Sequence, residues 1–276
     1  MKITKKQLKR YQEVGIGFTL VTIILLSAVF APLIATHDPQ EYIVADRLQP
    51  PSSEHFFGTD HFGRDVFSRV IYGTRISMIV AMSVFVLCGF FGAVIGMFTG
   101  YYKKVDAILM RVLDGFMAFP SVLLALVILA ALGPGLVNII AALTISYTPR
   151  VARTVRSSVL SVKEFEHVQS ARAIGAKDLY IMVKYIFPLC ISPLIVRLTL
   201  IIGLSILAEA SLTFLGVGIS PSIPSWGNIL SEGKVFMTTS PWITVYPGIA
   251  IVIAVLGFNL TGDGLRDLMD PRLSNT

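Results

Sequence analysis

The sequence predicts an all-α integral membrane protein with six transmembrane helices and both termini on the cytoplasmic side. Three observations lead there. Only 14% of the 276 residues are charged while 54% are apolar, against roughly 25% charged in soluble chains. The apolar residues come in uncharged blocks, and a helix needs about 20 of them to cross a bilayer. Lys and Arg are also distributed unevenly between alternate connecting segments, which orients the bundle.

Residues 1–14 form a basic segment, and the first uncharged block covers about 15–36. A basic start before an apolar run resembles a signal peptide. The run is too long for one, and Ala35-Thr36-His37-Asp38-Pro39 is a poor cleavage site, so an uncleaved first helix is expected. The second span, about 76–102, carries Gly89, Gly92, Gly96 and Gly100, a small-residue stripe suited to close helix packing in lipid. The third, about 115–132, has Pro120 in its first turns. Gly133-Pro134-Gly135 then turns tightly into a short fourth span, 136–148. The fifth runs over about 186–208 and includes Pro188 and Pro193, and the last over about 243–262. Residues 15–276 are thus one transmembrane domain, with a long cytoplasmic loop at about 149–185.

With both ends inside, segments 1–14, 103–111, 149–188 and 263–276 hold 17 of the 23 Lys and Arg. The outer segments 37–75 and 209–242 hold five, and Arg197 lies within a span. This asymmetry obeys the positive-inside rule. It also accounts for the net charge of +6 better than a nucleic-acid partner does. Cys88 and Cys190 sit in or beside apolar blocks and read as packing residues.

The outer stretch FGTDHFGRDVFSRVIYGTR, 57–75, reads as a Gly- and Asp-rich turn. A short amphipathic helix bearing Val66, Phe67, Val70 and Ile71 should follow at the interface. Asp60, Arg64, Asp65, Arg69 and Arg75 suggest a charge network, which if exposed contributes about 0–1 kcal/mol per pair. His37, His55, His61 and His167 lack fixed ligand spacing, so solvated loop residues are expected rather than a metal site. Arg197, the one ionisable group well inside a span, must face protein, water or an interface. Pathway lining and a structural partnership both satisfy that requirement. In Glu209–Gly227, EASLTFLGVGISPSIPSWG, glycines and prolines break any helix. Such backbone is tolerated at membrane depth only when shielded. It therefore either tucks against a pathway or forms an external loop anchored at the interface by Trp226 and Trp242.

The chain contains no G-x-x-x-x-G-K-[ST], H-E-x-x-H or G-x-S-x-G motif, which excludes a P-loop and the common hydrolase constellations. Apart from Arg197, the spans lack the ionisable residues of a proton relay.

The segment Phe165–Pro188, FEHVQSARAIGAKDLYIMVKYIFP, is polar, basic and helix-favouring, with small residues at 170, 171 and 173. Gly175 permits both a sharp bend and close approach of another surface. The segment resembles the coupling loop of ABC-importer permeases: Glu-Ala-Ala, three residues, Gly, nine residues, Ile-x-Leu-Pro. Ala171, Gly175 and Pro188 fit in register, while Gln169, Ser170, Tyr185 and Phe187 replace the family residues. The 57–75 string is similar to that of the peptide/nickel branch, in the second permease type without the large external insertion. Glu209–Gly227 and the tail GDGLRDLMDPRL also resemble this branch, so the likeness covers about 57–273.

The resemblance implies a type I ABC-importer permease fold in a bacterial or archaeal cytoplasmic membrane. It implies a translocation pathway shared with a second, homologous permease, two cytoplasmic ATPase subunits and an external solute-binding protein. It implies no cofactor on this chain, with ATP and Mg on the ATPases, no metal ligands and no catalytic residue. The substrate it implies is a peptide, with nickel or a metal chelate as the alternative. The alternative of another class is a channel or proton-coupled carrier without ATPases: a channel has no use for the loop, and a carrier would need intramembrane acidic groups that the expected spans lack. Gln169, Ser170, Ala171, Arg172, Gly175, Ala176, Lys177 and Pro188 are the implied coupling residues. Arg197, Glu209, Phe214, Gly216, Gly218 and Trp226 are the candidate pathway or gate residues.

Overall fold

A computed structural model describes the backbone of residues 5–269 and the side chains of 14–267. The side chains of the basic stretch Met1–Arg10 and the end of the tail, Asp270–Leu273, lie outside the described residues. Helix α1 (Lys5–Val29) and the short α2 (Ala31–Ile34) open the chain. An outer loop then leads to α3 (Val66–Tyr101), 36 residues long. The sequence suggested a separate interfacial helix at Val66 and a span starting at Ile76. The two are one continuous helix, because no proline interrupts residues 66–101.

Helices α4 (Lys103–Met117) and α5 (Ser121–Leu132) meet at 91°. This corrects the expected single span at 115–132. Pro120 has no N–H to give and pushes Phe119 out of helical geometry, so the helix breaks there. With 12 residues α5 covers only about 18 Å. Helix α6 (Leu136–Val162) has 27 residues, well beyond the expected end at Thr148. It continues through Pro149, which costs it one backbone hydrogen bond, into a basic stretch that remains helical. Next come α7 (Glu166–Ala173) and α8 (Asp178–Ile181). A π-helical turn, Met182–Ile186, joins α8 to α9 (Phe187–Phe214). The chain closes with α10 (Trp226–Gly233) and α11 (Trp242–Met269).

Three segments are long and apolar enough to cross a membrane unaided: Val66–Tyr101, the continuous Asp178–Phe214 and Trp242–Asp267. The bent α4–α5 pair makes a fourth if counted as one span. The protein is thus an all-helical multi-pass membrane protein; the described residues contain no strand, only an isolated bridge between Thr59 and Asp65.

Helices α3, α6 and α9 frame one apolar core, and α1, α3, α9, α10 and α11 frame a second. The glycine stripe does what its spacing suggested. A Cβ on Gly92 would lie 2.5 Å from Val151, one on Gly96 2.6 Å from the Ala152 carbonyl oxygen, and one on Gly100 2.5 Å from Val159. The α3 and α6 backbones therefore touch closely, as small residues allow in lipid-embedded packing. Gly89 faces Leu198 of α9 instead. Cys88 and Cys190 are free and buried.

Candidate functional site: a coupling segment, an outer cap and an arginine groove

The α7–α8 turn is built by Gly175. Its N–H donates to the Arg172 carbonyl at 3.0 Å, and the Ala176 N–H donates to the Ala171 carbonyl at 3.1 Å. This is the paired pattern of a Schellman C-cap, with the residue after the cap left-handed. Gly175 has φ of +80°, which glycine takes without the Cβ penalty. Its α-carbon faces open space, since an added Cβ would meet nothing within 4 Å.

Val168 and Ala171 turn inward and are buried, while Ser170, Arg172, Gly175 and Lys177 are exposed. The Gln169 amide donates to the Lys163 carbonyl at 2.8 Å and fixes the start of α7. At the end of α3, Tyr101 donates to Asp178 Oδ1 at 2.7 Å and Tyr102 to Oδ2 at 3.1 Å, which pins α8. Arg172 lies over the Tyr101 ring at 5.3 Å, and hydrogen bonding to Tyr101 raises its pKa. It is therefore engaged with its own chain, not a free loop charge. Around this anchored turn stand exposed apolar side chains, Ile174 at 85% and Leu179 at 64%. Pro188 sits at the start of α9 just after the π-helical turn, within a helix that runs on from Asp178, and withholds one backbone hydrogen bond there.

The outer cap departs from the expectation of exposed charges. Asp60, Arg64, Asp65 and Arg69 are all buried. Asp60 accepts from Arg64 Nε at 2.7 Å and also pairs with Arg69. Glu232 of α10 closes the network, 2.7 Å from Arg69; nothing in the local sequence pattern pointed to it. Burial raises the Asp60 pKa, but Arg69, Arg64 and the backbone N–H groups of Arg64 and Phe62 more than offset this and hold it below the usual value. Asp65 caps α3 by accepting from the Ser68 N–H at 2.8 Å. Its second oxygen lies 3.0 Å from His55 Nδ1. His55 is thus a buried hydrogen-bonding residue, not a solvated one. Its donor atoms, with those of His37 and Asp65, lie within 4.8 Å of one another; the hydrogen bond and the helix cap account for that grouping.

The gate candidates separate. Glu209 is fully buried and accepts from Ser77 at 2.9 Å and Thr213 at 3.1 Å. Trp226 is fully buried and donates to the Val70 carbonyl at 3.1 Å. Gly218 packs on Thr213, and its carbonyl accepts from Gly135 at 2.9 Å. These three belong to the chain's interior and line no surface in this conformation, and Trp226 is no interfacial anchor. Phe214 and Gly216 remain exposed. Arg197 is half-buried and opens onto a groove between α6 and α9 that Arg150 and Arg153 share. Sequence reading missed the last two as companions because it ended the fourth helix before them.

Residues 90–275 match the family described as the binding-protein-dependent transport system inner membrane component. Residues 6–51 match the N-terminal transmembrane domain of oligopeptide transport permease C. The chain belongs to this family of binding-protein-dependent permeases, the membrane components of ABC importers. It is similar to a Brucella abortus protein named as a permease of a peptide transport system, 48% identical over 98% of this chain and 92% of the relative. It is also similar to the dipeptide transport system permease protein of Alkalihalophilus pseudofirmus, 42% identical over 98% and 89%. The glutathione transport system permease protein of Pectobacterium atrosepticum is 39% identical over 96% and 89%.

Proposed function

We propose that the chain is the membrane-spanning permease subunit of an ATP-driven importer of peptides. In this reading it crosses the bacterial or archaeal cytoplasmic membrane six times with both termini inside, in the type I permease fold. It forms the pathway with a second, related permease. Two ATPases dock at α7–α8 and hold the ATP and Mg, and an external solute-binding protein delivers substrate. The chain itself holds no cofactor and catalyses nothing. The names of its relatives, permeases of peptide, dipeptide and glutathione systems, support a peptide as cargo.

One observation carries the docking: α7 and α8 are tied to the bundle through Tyr101 and Tyr102 and leave Ile174 and Leu179 exposed. A rigid, anchored projection with uncovered apolar side chains is suited to seat in a cleft of another subunit. From α8 the helix runs unbroken to Phe214, a rod about 55 Å long. ATP binding draws the ATPases together and displaces α8, and the rod carries that displacement across the membrane as alternating access. The docked surfaces make different contacts in the two states, which is what shifts the equilibrium.

Gly175→Asp tests the reading. The side chain strains the left-handed turn and adds charge where the ATPase surface should close. Uptake and ATPase association should be lost, while abundance and pairing with the other permease persist, because residue 175 packs against nothing in its own chain. Near-normal uptake by this variant would remove the docking site from the proposal.

A further inference from the structure

We propose that the groove between α6 and α9 is a transit site for the carboxylate of the substrate, held by Arg197 and Arg150. The proposal rests on the peptide-importer reading above and gives its pathway a chemistry. The open groove has a volume of about 660 Å³ and is lined by Arg150, Arg153, Arg197, Ser157, Met117 and Pro193 among others. Three guanidinium groups share it. Asp114, paired with Arg153 at an exposed position, is the single carboxylate within ion-pair reach of any of them among the described residues. Arg150 and Arg197 have none, and Arg197 Nε is buried without a hydrogen-bond partner.

The neighbouring hydroxyls do not compensate. Thr154 donates to the Arg150 carbonyl at 3.0 Å and Ser158 to the Thr154 carbonyl at 3.2 Å, both along their own helix. Two positive groups with no acid between them are costly at membrane depth and repel each other. Arg150 lies within α6 and Arg197 within α9, away from the ends of both helices. A face with two unpaired guanidinium groups is poorly suited to lipid tails. An anion relieves the repulsion and supplies the missing acceptor. A carboxylate matches the guanidinium fork with two parallel hydrogen bonds. A peptide carries one at its C-terminus, and the same two arginines repel its free amine. Arg197 stands on the rod that begins at α8 and Arg150 on α6, so a shift of that rod against α6 changes the spacing between the two guanidinium groups. That couples the grip on the carboxylate to the state of the ATPases.

The test uses the assembled, nucleotide-free transporter in lipid nanodiscs, without binding protein. Affinity is measured for radiolabelled trialanine and for its C-terminal amide. The wild type should hold the acid at least about tenfold more tightly than the amide, the scale of one charge-assisted pair. Arg197→Gln and Arg150→Gln should each remove most of that difference, and Arg197→Lys should retain part of it. Equal affinity of the wild type for acid and amide, or binding of neither, overturns the proposal. So does an Arg197→Gln complex that loses retained anionic phospholipid but keeps its preference for the acid, which assigns the groove to a lipid headgroup. If Arg197→Gln does not accumulate, Arg150→Gln, at a half-buried position, carries the comparison. ATP-dependent uptake of trialanine by the wild type with all its partners in proteoliposomes tests the importer reading separately.

Discussion

The Tyr101 hydroxyl donates to Asp178 Oδ1 at 2.7 Å, so the last residue of α3 holds the first residue of α8. Arg172 lies over the same ring, 5.3 Å from its centroid. One aromatic side chain thereby ties both short helices of the coupling segment to the most heavily packed helix of the bundle. Tyr102 reinforces the tie through the second Asp178 oxygen.

That redundancy predicts how substitution behaves. Tyr101→Phe removes one hydrogen bond to a charged group, worth about 1.5–3 kcal/mol when well ordered. Tyr102 retains the other, so the single change should lower uptake by about twofold only. Tyr101→Phe with Tyr102→Phe should cost more than the product of the two, because the residues share a partner. Uptake and substrate-stimulated ATP hydrolysis, measured at matched abundance, report the effect. The two should uncouple before the protein unfolds.

The buried outer cap predicts a stability effect with a defined pH sense. Removing one partner of a buried ion network costs about 3–5 kcal/mol, so Asp60→Asn should markedly lower the unfolding temperature of the purified protein at neutral pH. Asp60 has a folded-state pKa below its usual value. Its contribution is therefore complete above the unfolded pKa near 3.9 and fades as pH falls through the lower folded value. Wild type should lose stability over that acid window, and Asp60→Asn should show a smaller loss across it. Thermal melts from neutral to strongly acid pH provide the measurement.

Orientation is testable with exposed cysteines. Asp60 is a poor probe because it is buried in the network. Glu54 and Ser170 are exposed, and the native Cys88 and Cys190 are buried. In a background without those two, Glu54→Cys should react with an impermeant reagent in intact cells, and Ser170→Cys only after permeabilisation. Equal labelling of both would overturn six spans with cytoplasmic ends.

Two glycines give a matched pair. Gly96→Ala places a methyl 2.6 Å from the Ala152 carbonyl oxygen, whereas Gly115→Ala meets nothing within 4 Å. The first should reduce abundance and lower the unfolding temperature, by about 1–3 kcal/mol on the scale of overpacked cores. The second should be neutral or stabilise by up to about 1 kcal/mol through helix propensity. Fluorescence-detected gel filtration after heating distinguishes them.

Much of this architecture was legible because it rests on local chemistry. Uncharged blocks located the apolar parts of α1, α3, α9 and α11, the Gly89–Gly100 stripe announced a close helix contact, and Gly175 announced a left-handed turn. The boundaries that failed did so for physical reasons. Charge was taken as the end of a helix at Thr148, yet Arg150, Arg153 and Arg156 are good helix formers, and Asp106 meets Arg156 at 2.7 Å from α4. Pro120 was placed within a span, although proline restricts the residue before it as well as itself. The charges of 57–75 were judged exposed because their partner, Glu232, lies more than 160 residues away along the chain. Pairings of that separation leave no trace in local periodicity.

The glycine stripe has a mechanical consequence. Val151, Val155 and Val159 seat against Gly92, Gly96 and Gly100 as teeth in a rack, and a slide of half a turn, about 2.7 Å, would bring valine against the larger side chains between the glycines. Helices α3 and α6 are thereby keyed in register and must travel as a single strut. The bend at Phe119–Pro120, where α5 meets α4 at 91°, lies outside this keyed contact and does not share its constraint.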